Sequence, residues 1–231
     1  MPLDRGRSAG YAIGRLGALD GTHRTYGTHR SYRSGVRGYA IVSSPGGVAS
    51  VWRREVVADR RAVAAIGVAA TVACLALAAE ARLYLPLTPV PITLQTFFVL
   101  VAGAGLGPRL GTVALSSYLA LGAIGLPVFT GQWLGPTTGY LVGFVAAGWL
   151  IGAITRSVER PSMLRIVAAM ALGDAVLLAL GAAWLAFGLG LGVPQALAAG
   201  ILPFLPGDAL KLVAAAGFCR AYRERLRALF P

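Results

Sequence analysis

The sequence predicts an all-α, polytopic membrane protein with six transmembrane helices, and three observations lead there. Of its 231 residues, 56% are hydrophobic and 13% charged, with a mean hydropathy of +0.69; a soluble domain carries about a quarter of its residues as charges. Several apolar runs reach the ~17–25 residues that a helix needs to cross a hydrocarbon core of roughly 30 Å. The alternating pattern of outer-membrane barrel strands is absent from the sequence.

Three regions follow in chain order: a basic extension over 1–60, a membrane domain over 61–222 and a basic tail over 223–231. Residues 1–50 are rich in Gly, Ser, Arg, Thr and Tyr, hold seven Arg against two Asp, and contain no apolar run of signal-peptide type. Such a composition cannot bury a core. It predicts disorder, or a start assigned too early with the protein beginning near Val51. The stretch Val51–Val57 is amphipathic enough to lie on a membrane surface, with plain disorder the alternative.

Six spans are expected. The first covers Ala62–Ala81, and a proline-rich turn, Pro86–Pro91, leads to a short second span over Ile92–Gly107. Pro108-Arg109-Leu-Gly111 turns the chain into the third, Thr112–Leu126. The fourth, fifth and sixth cover Thr137–Thr155, Ser162–Leu189 and Gly207–Ala221.

The net charge of +12 tests that count. With the N-terminus inside, the inside loops hold Arg109 and then Arg156, Arg160 and Arg165, and the inside tail holds Arg220, Arg223, Arg225 and Arg227. The outside loops 127–136 and 190–206 hold no charged residue. This is the positive-inside pattern of a plasma membrane protein with both termini cytoplasmic, and an odd number of spans would spoil it. The same distribution argues against nucleic acid as the partner of the basic charge.

Chemistry concentrates at one place. The chain contains a single lysine, Lys211, three residues after Asp208. Pro206-Gly207 opens a helix there, so Asp208 lies in its first turn, where the helix dipole favours a carboxylate. Residues at i and i+3 share a face. One reading makes Lys211 an anchor for a carboxylate or phosphate and Asp208 an acceptor for ligand N–H or O–H groups. The other is an interfacial ion pair, with Lys211 snorkelling to the headgroups.

Asp174 falls near mid-membrane, where a carboxylate must be protonated, hydrogen-bonded within the bundle or lining a wet cavity. A structural bond to a neighbouring helix is the plainer reading, and proton coupling the other. Ala65, Ala69 and Ala73 form a small-residue stripe on the first span, which permits close approach by another helix of this chain or by a second protein. Cys74 and Cys219 are expected at different depths and make no metal motif, and His23 and His29 lie in the polar extension. The glycine runs 103–107 and 188–192 sit at span ends as turns and packing sites, and no P-loop or hydrolase triad is present, so neither an enzyme nor an ATP-binding subunit is indicated and no cofactor or metal is expected.

Five ordered blocks carry a resemblance: Pro89-Val-Pro-Ile-Thr-Leu-Gln-Thr-Phe97, Leu106-Gly-Pro-Arg-Leu-Gly111, Gly125-Leu-Pro-Val-Phe129, Gly135-Pro-Thr-Thr-Gly-Tyr140 and Pro203-Phe-Leu-Pro-Gly-Asp-Ala-Leu-Lys211. Over about residues 60–222 they resemble the BioY family, the biotin-binding substrate (S) components of energy-coupling-factor (ECF) transporters. The resemblance implies a six-helix protein that captures biotin near the outer face and works with a transmembrane coupling subunit and ATPase subunits. It implies that Asp208 and Lys211 contact biotin, and that Ala65, Ala69 and Ala73 dock the coupling subunit. Gln95, Tyr118 and Trp133 are expected in the pocket wall. Departures from the family pattern are a shorter 130–134 loop, Thr138 in place of a usual Gly, Leu178 in place of a frequent Tyr, and Asp174 itself. Rival expectations are an S component for another vitamin, a proton-coupled secondary transporter using Asp174, and a membrane scaffold built on the alanine stripe.

Overall fold

The computed structural model describes residues 59–129 and 134–230. Trp133, the histidines and the stretch Val51–Val57 lie outside the described residues. Helix α1 spans Arg60–Glu80, capped by the Asp59 carboxylate, which accepts from the Arg61 and Ala62 amides at 2.9 and 3.4 Å. A short antiparallel pair follows, β1 (Arg82–Leu83) against β2 (Ile92–Thr93), with Arg82 opposite Thr93. The remaining helices are α2 (Gln95–Ala123), α3 (Thr138–Arg156), α4 (Met163–Ala183), α5 (Val193–Gly200), α6 (Leu205–Ala221) and α7 (Arg223–Leu229). A π-helical turn, Trp184–Gly188, extends α4.

Four of these helices are long and apolar enough to cross a membrane, and five spans result if the α5–α6 pair, bent by 48°, counts as one. The difference from the six expected lies in α2. This run is broken at Gly107, whose φ of 81° is open chiefly to glycine, and Pro108 follows without an N–H to continue the ladder. The chain doubles back there: a Cβ on Gly111 would lie 3.1 Å from the Ala102 carbonyl, and Gln95 bonds Tyr118. The two arms, ending at Leu106 and beginning at Pro108, overlap the second and third segments read from the sequence, although the whole of α2 counts as one candidate span. Seated against this turn is Gly152 of α3, where a Cβ would come within 2.5 Å of the Pro108 nitrogen.

Element starts differ modestly from expectation. Ile92 and Thr93 pair as strand rather than opening a helix, because Pro91 holds the chain extended before them and the Thr93 hydroxyl accepts the Gln95 amide at 3.3 Å. The segment read as a loop over 190–206 contains α5, which starts after Gly192 with Pro194 in its first turn. The basic tail carries α7, whose following residue, Phe230, is buried with Val63, Ala102, Leu106 and Ala114.

Packing divides the bundle into two ends. The largest core group, including Val99, Leu115, Tyr118, Tyr140, Phe144 and Leu177, lies toward the starts of α2, α3 and α6. At the opposite end, Arg156 donates to the Gly105 carbonyl, Arg165 to Ile154, and Arg227 to the Thr155 and Val158 carbonyls. The arginine-rich loops therefore gather at one end and Asp208 and Lys211 at the other.

Candidate functional site

The first turn of α6 meets the first turn of α2. Phe204 precedes α6 and accepts the Asp208 amide at 2.8 Å, so Asp208 is locked into the opening turn. Lys211, one turn on, donates to Asp208 Oδ1 at 2.9 Å. Its ammonium also donates to the Thr96 hydroxyl at 3.0 Å, and that hydroxyl donates to Asp208 Oδ1 at 3.3 Å. The Asp208 and Lys211 side chains are 4% and 12% exposed, so this is a largely buried ion pair rather than a lysine reaching for headgroups. A buried pair is sustained only when further hydrogen bonds complete it, and Thr96 supplies one.

Both protein contacts to Asp208 converge on Oδ1, leaving Oδ2 as an open acceptor. Two of the three Lys211 donors are used, which leaves one. The cluster can thus accept from a ligand N–H and donate to a ligand oxygen at one point.

Around it lies a small, largely apolar pocket. Its walls come from Val90 and Pro91 of the proline-rich turn, Tyr140 and Phe144 of α3, Leu178 of α4 and Phe204. Thr93, Gln95, Thr96 and Thr137 add polar groups near the cluster. The Tyr140 hydroxyl is spent on the Gly200 carbonyl at 2.6 Å, so Tyr140 presents its ring and fastens α5.

Of the residues expected in the wall, Gln95 lines the pocket beside Asp208 and Lys211. Tyr118 stands one layer behind. It accepts from Gln95 Nε2 at 2.6 Å and donates to the Val128 carbonyl at 2.6 Å, while Gln95 Oε1 accepts from Thr93 at 3.1 Å. Trp133 lies outside the described residues. Thr96 was missed from sequence; the available signal was adjacent Gln and Thr opening an otherwise apolar run.

Asp174 is separate. It is buried, its Oδ1 has no hydrogen-bond partner, and it lines a second cleft with Ala171, Ile201, Leu205 and Leu212. The two cavities share Leu178. The bond to a neighbouring helix expected of Asp174 is not made by that oxygen. Ala65, Ala69 and Ala73 are all exposed on α1, whose buried face is formed instead by Val63, Gly67, Leu75, Ala78 and Ala79.

Comparison with known proteins places the chain in a family. The chain is 39% identical over 138 residues to the biotin transporter BioY of Thermotoga maritima, covering 57% of this chain and 80% of that one. The probable biotin transporter BioY of Pyrococcus horikoshii is 37% identical over 141 residues, covering 58% and 82%. The crystal structure of the S-component for biotin from an ECF-type ABC transporter superposes with a TM-score of 0.65 at 28% identity, covering 70% of this chain and 90% of that chain. Residues 53–228 match the family model described as the BioY family, which covers well over half of the sequence, and the chain belongs to that family.

Proposed function

We propose that this protein is the biotin-capture subunit of an ECF-type transporter in a prokaryotic plasma membrane. The observation that carries the reading is the Thr96–Asp208–Lys211 cluster inside an apolar pocket. Biotin presents N–H donors and a carbonyl on its ureido ring, an apolar bicycle, and a carboxylate on an aliphatic chain. A pocket with apolar walls and one paired donor–acceptor point suits that mixture. Asp208 Oδ2 accepts a ureido N–H or Lys211 binds an oxygen of the ligand, and Gln95, held by Tyr118, adds a polar edge.

Family membership makes the chain a transport component and not an enzyme. The arginine-rich end faces the cytoplasm in this reading, which opens the pocket toward the outside, where a scavenged vitamin arrives. The sequence holds no P-loop, so energy comes from ATPase subunits joined through a transmembrane coupling subunit. The exposed stripe Ala65, Ala69, Ala73 is the surface that receives the coupling subunit, since small side chains let helices approach closely in lipid.

The test is binding of radiolabelled biotin to the purified full chain, with thiamine, riboflavin and desthiobiotin as competitors. Saturable binding displaced by desthiobiotin alone is expected. Displacement by thiamine or riboflavin at similar concentrations would assign the pocket to another vitamin.

A further inference from the structure

At the end of the bundle opposite the pocket, Arg109, Arg156 and Arg227 line one groove with Leu106, Gly107 and Pro108. They come from three elements: the turn inside α2, the last residue of α3, and α7. The described ion pairs are Arg82–Glu80 and Lys211–Asp208, and neither is near this groove. The acidic residues closest in sequence, Glu159 and Glu224, are exposed and pair with none of the three.

Arg227 is largely occupied, donating to the carbonyls of Thr155, Val158 and Glu159 and so offsetting the negative end of α3. Arg156 is only half occupied. One terminal nitrogen donates to the Gly105 carbonyl at 2.8 Å, while its Nε–H is buried with no acceptor at all. An unpaired buried donor destabilises the fold, and more so when it is charged. The Arg156 side chain packs against Gly107: a Cβ there would fall 3.1 Å from Nε and 3.4 Å from Cζ. Arg109 is exposed and makes no hydrogen bond or ion pair among the described residues.

We infer that this groove is an anion site that takes a phosphate group, supplied by the headgroup of an acidic phospholipid or by free phosphate. A guanidinium fork matches the paired oxygens of a phosphate, and a phosphate oxygen supplies the acceptor that Arg156 lacks. Basic pockets between helix ends at a membrane surface are placed where headgroup phosphates lie. Binding there would clamp the α2 turn, the end of α3 and α7 together.

Native mass spectrometry of the detergent-purified full chain tests this, with phosphatidylglycerol, phosphatidylcholine and inorganic phosphate as probes. Arg156→Lys keeps the charge and removes the fork, and Arg109→Ala removes a side chain with no internal partner; an unchanged thermal midpoint certifies that either variant is folded. Phosphatidylglycerol should be retained in preference to phosphatidylcholine, and each variant should lose about tenfold or more of that retention. If inorganic phosphate adds to the protein and displaces the lipid, the site reads the free anion as well; if it does not, the lipid is the source. Equal retention of the two lipids, or retention unchanged in Arg109→Ala and Arg156→Lys, overturns the inference.

Discussion

Thr96 and Asp208 stand 112 positions apart in the chain, yet the hydroxyl of one donates to the carboxylate of the other at 3.3 Å. That bond ties the start of α2 to the start of α6 and places Lys211 over both. The lysine alone would be an unpaired cation in an apolar wall. With Thr96 and Asp208 it becomes a neutral, preorganised point for a polar ligand.

The ion pair itself gives the first prediction. Lys211→Met should lower biotin affinity about ten- to hundredfold, the worth of one charge-assisted hydrogen bond. It also strands a buried carboxylate, so stability should fall by about 3–5 kcal/mol. The double variant Asp208→Asn/Lys211→Met should recover much of that stability while still failing to bind biotin. Thermal unfolding and biotin titration on the same preparations separate the two effects; additive losses of stability would show that the two groups are not coupled.

Thr96→Val keeps the shape and removes the hydroxyl. Lys211 and Asp208 remain paired at 2.9 Å, so the fold should hold. Biotin affinity should drop about tenfold, because the ammonium loses the contact that fixes its direction. Isothermal titration of the variant checks this, and an affinity equal to the parent's would remove Thr96 from the site.

How much of this was legible follows from how local each signal is. Asp208 and Lys211 were readable because a single lysine at i+3 from an aspartate stands out in an apolar run. The reversal at Gly107 was readable because Gly-Pro interrupts a helix by backbone chemistry alone. Thr96 was not, since a threonine in an apolar helix ordinarily bonds its own backbone, as Thr71 does to Gly67 at 2.8 Å. Its partner lies on α6, and only the tertiary arrangement names it. Tyr118 was placed in the wall for the same reason: sequence shows a polar aromatic on α2, but not that Gln95 stands in front of it. Helix α5 escaped because glycines and prolines around it read as loop.

Tyr118 is expected to act through position. Tyr118→Phe leaves Gln95 Nε2 and the Val128 carbonyl each short of a partner. Each orphaned group costs about 1–3 kcal/mol, which at roughly 2–4 °C per kcal/mol gives a visible fall in the thermal midpoint. Biotin affinity should change less than in Gln95→Leu, which strips a group from the pocket itself. The reverse order of effects would put the Tyr118 hydroxyl in contact with ligand.

The docking role proposed for the alanine stripe separates binding from coupling. Ala69→Leu adds bulk at an exposed position of α1, which lipid tolerates and a close-packed helix does not. Biotin binding by the isolated protein should be unchanged. Co-purification with the coupling and ATPase subunits should be lost, and with it ATP-driven uptake. Retained co-purification would move the docking surface elsewhere on the bundle.

Asp174 decides between ATP-driven and proton-coupled uptake. Its Oδ1 is buried without a partner, it lines the cleft beside the pocket rather than the pocket, and Leu178 stands between the two. A carboxylate in that position is a cost to the fold, and carrying protons across the membrane is the function that would justify it. If capture and ATP-driven coupling are the whole function, Asp174→Asn should take up biotin at the parent's rate in cells treated with a protonophore while ATP is maintained. Asp174→Leu should raise the thermal midpoint, because removing an unsatisfied buried group recovers about 1–3 kcal/mol. Loss of uptake in Asp174→Asn with biotin binding intact would make Asp174 a working proton carrier, and the ATP-driven reading would then be insufficient.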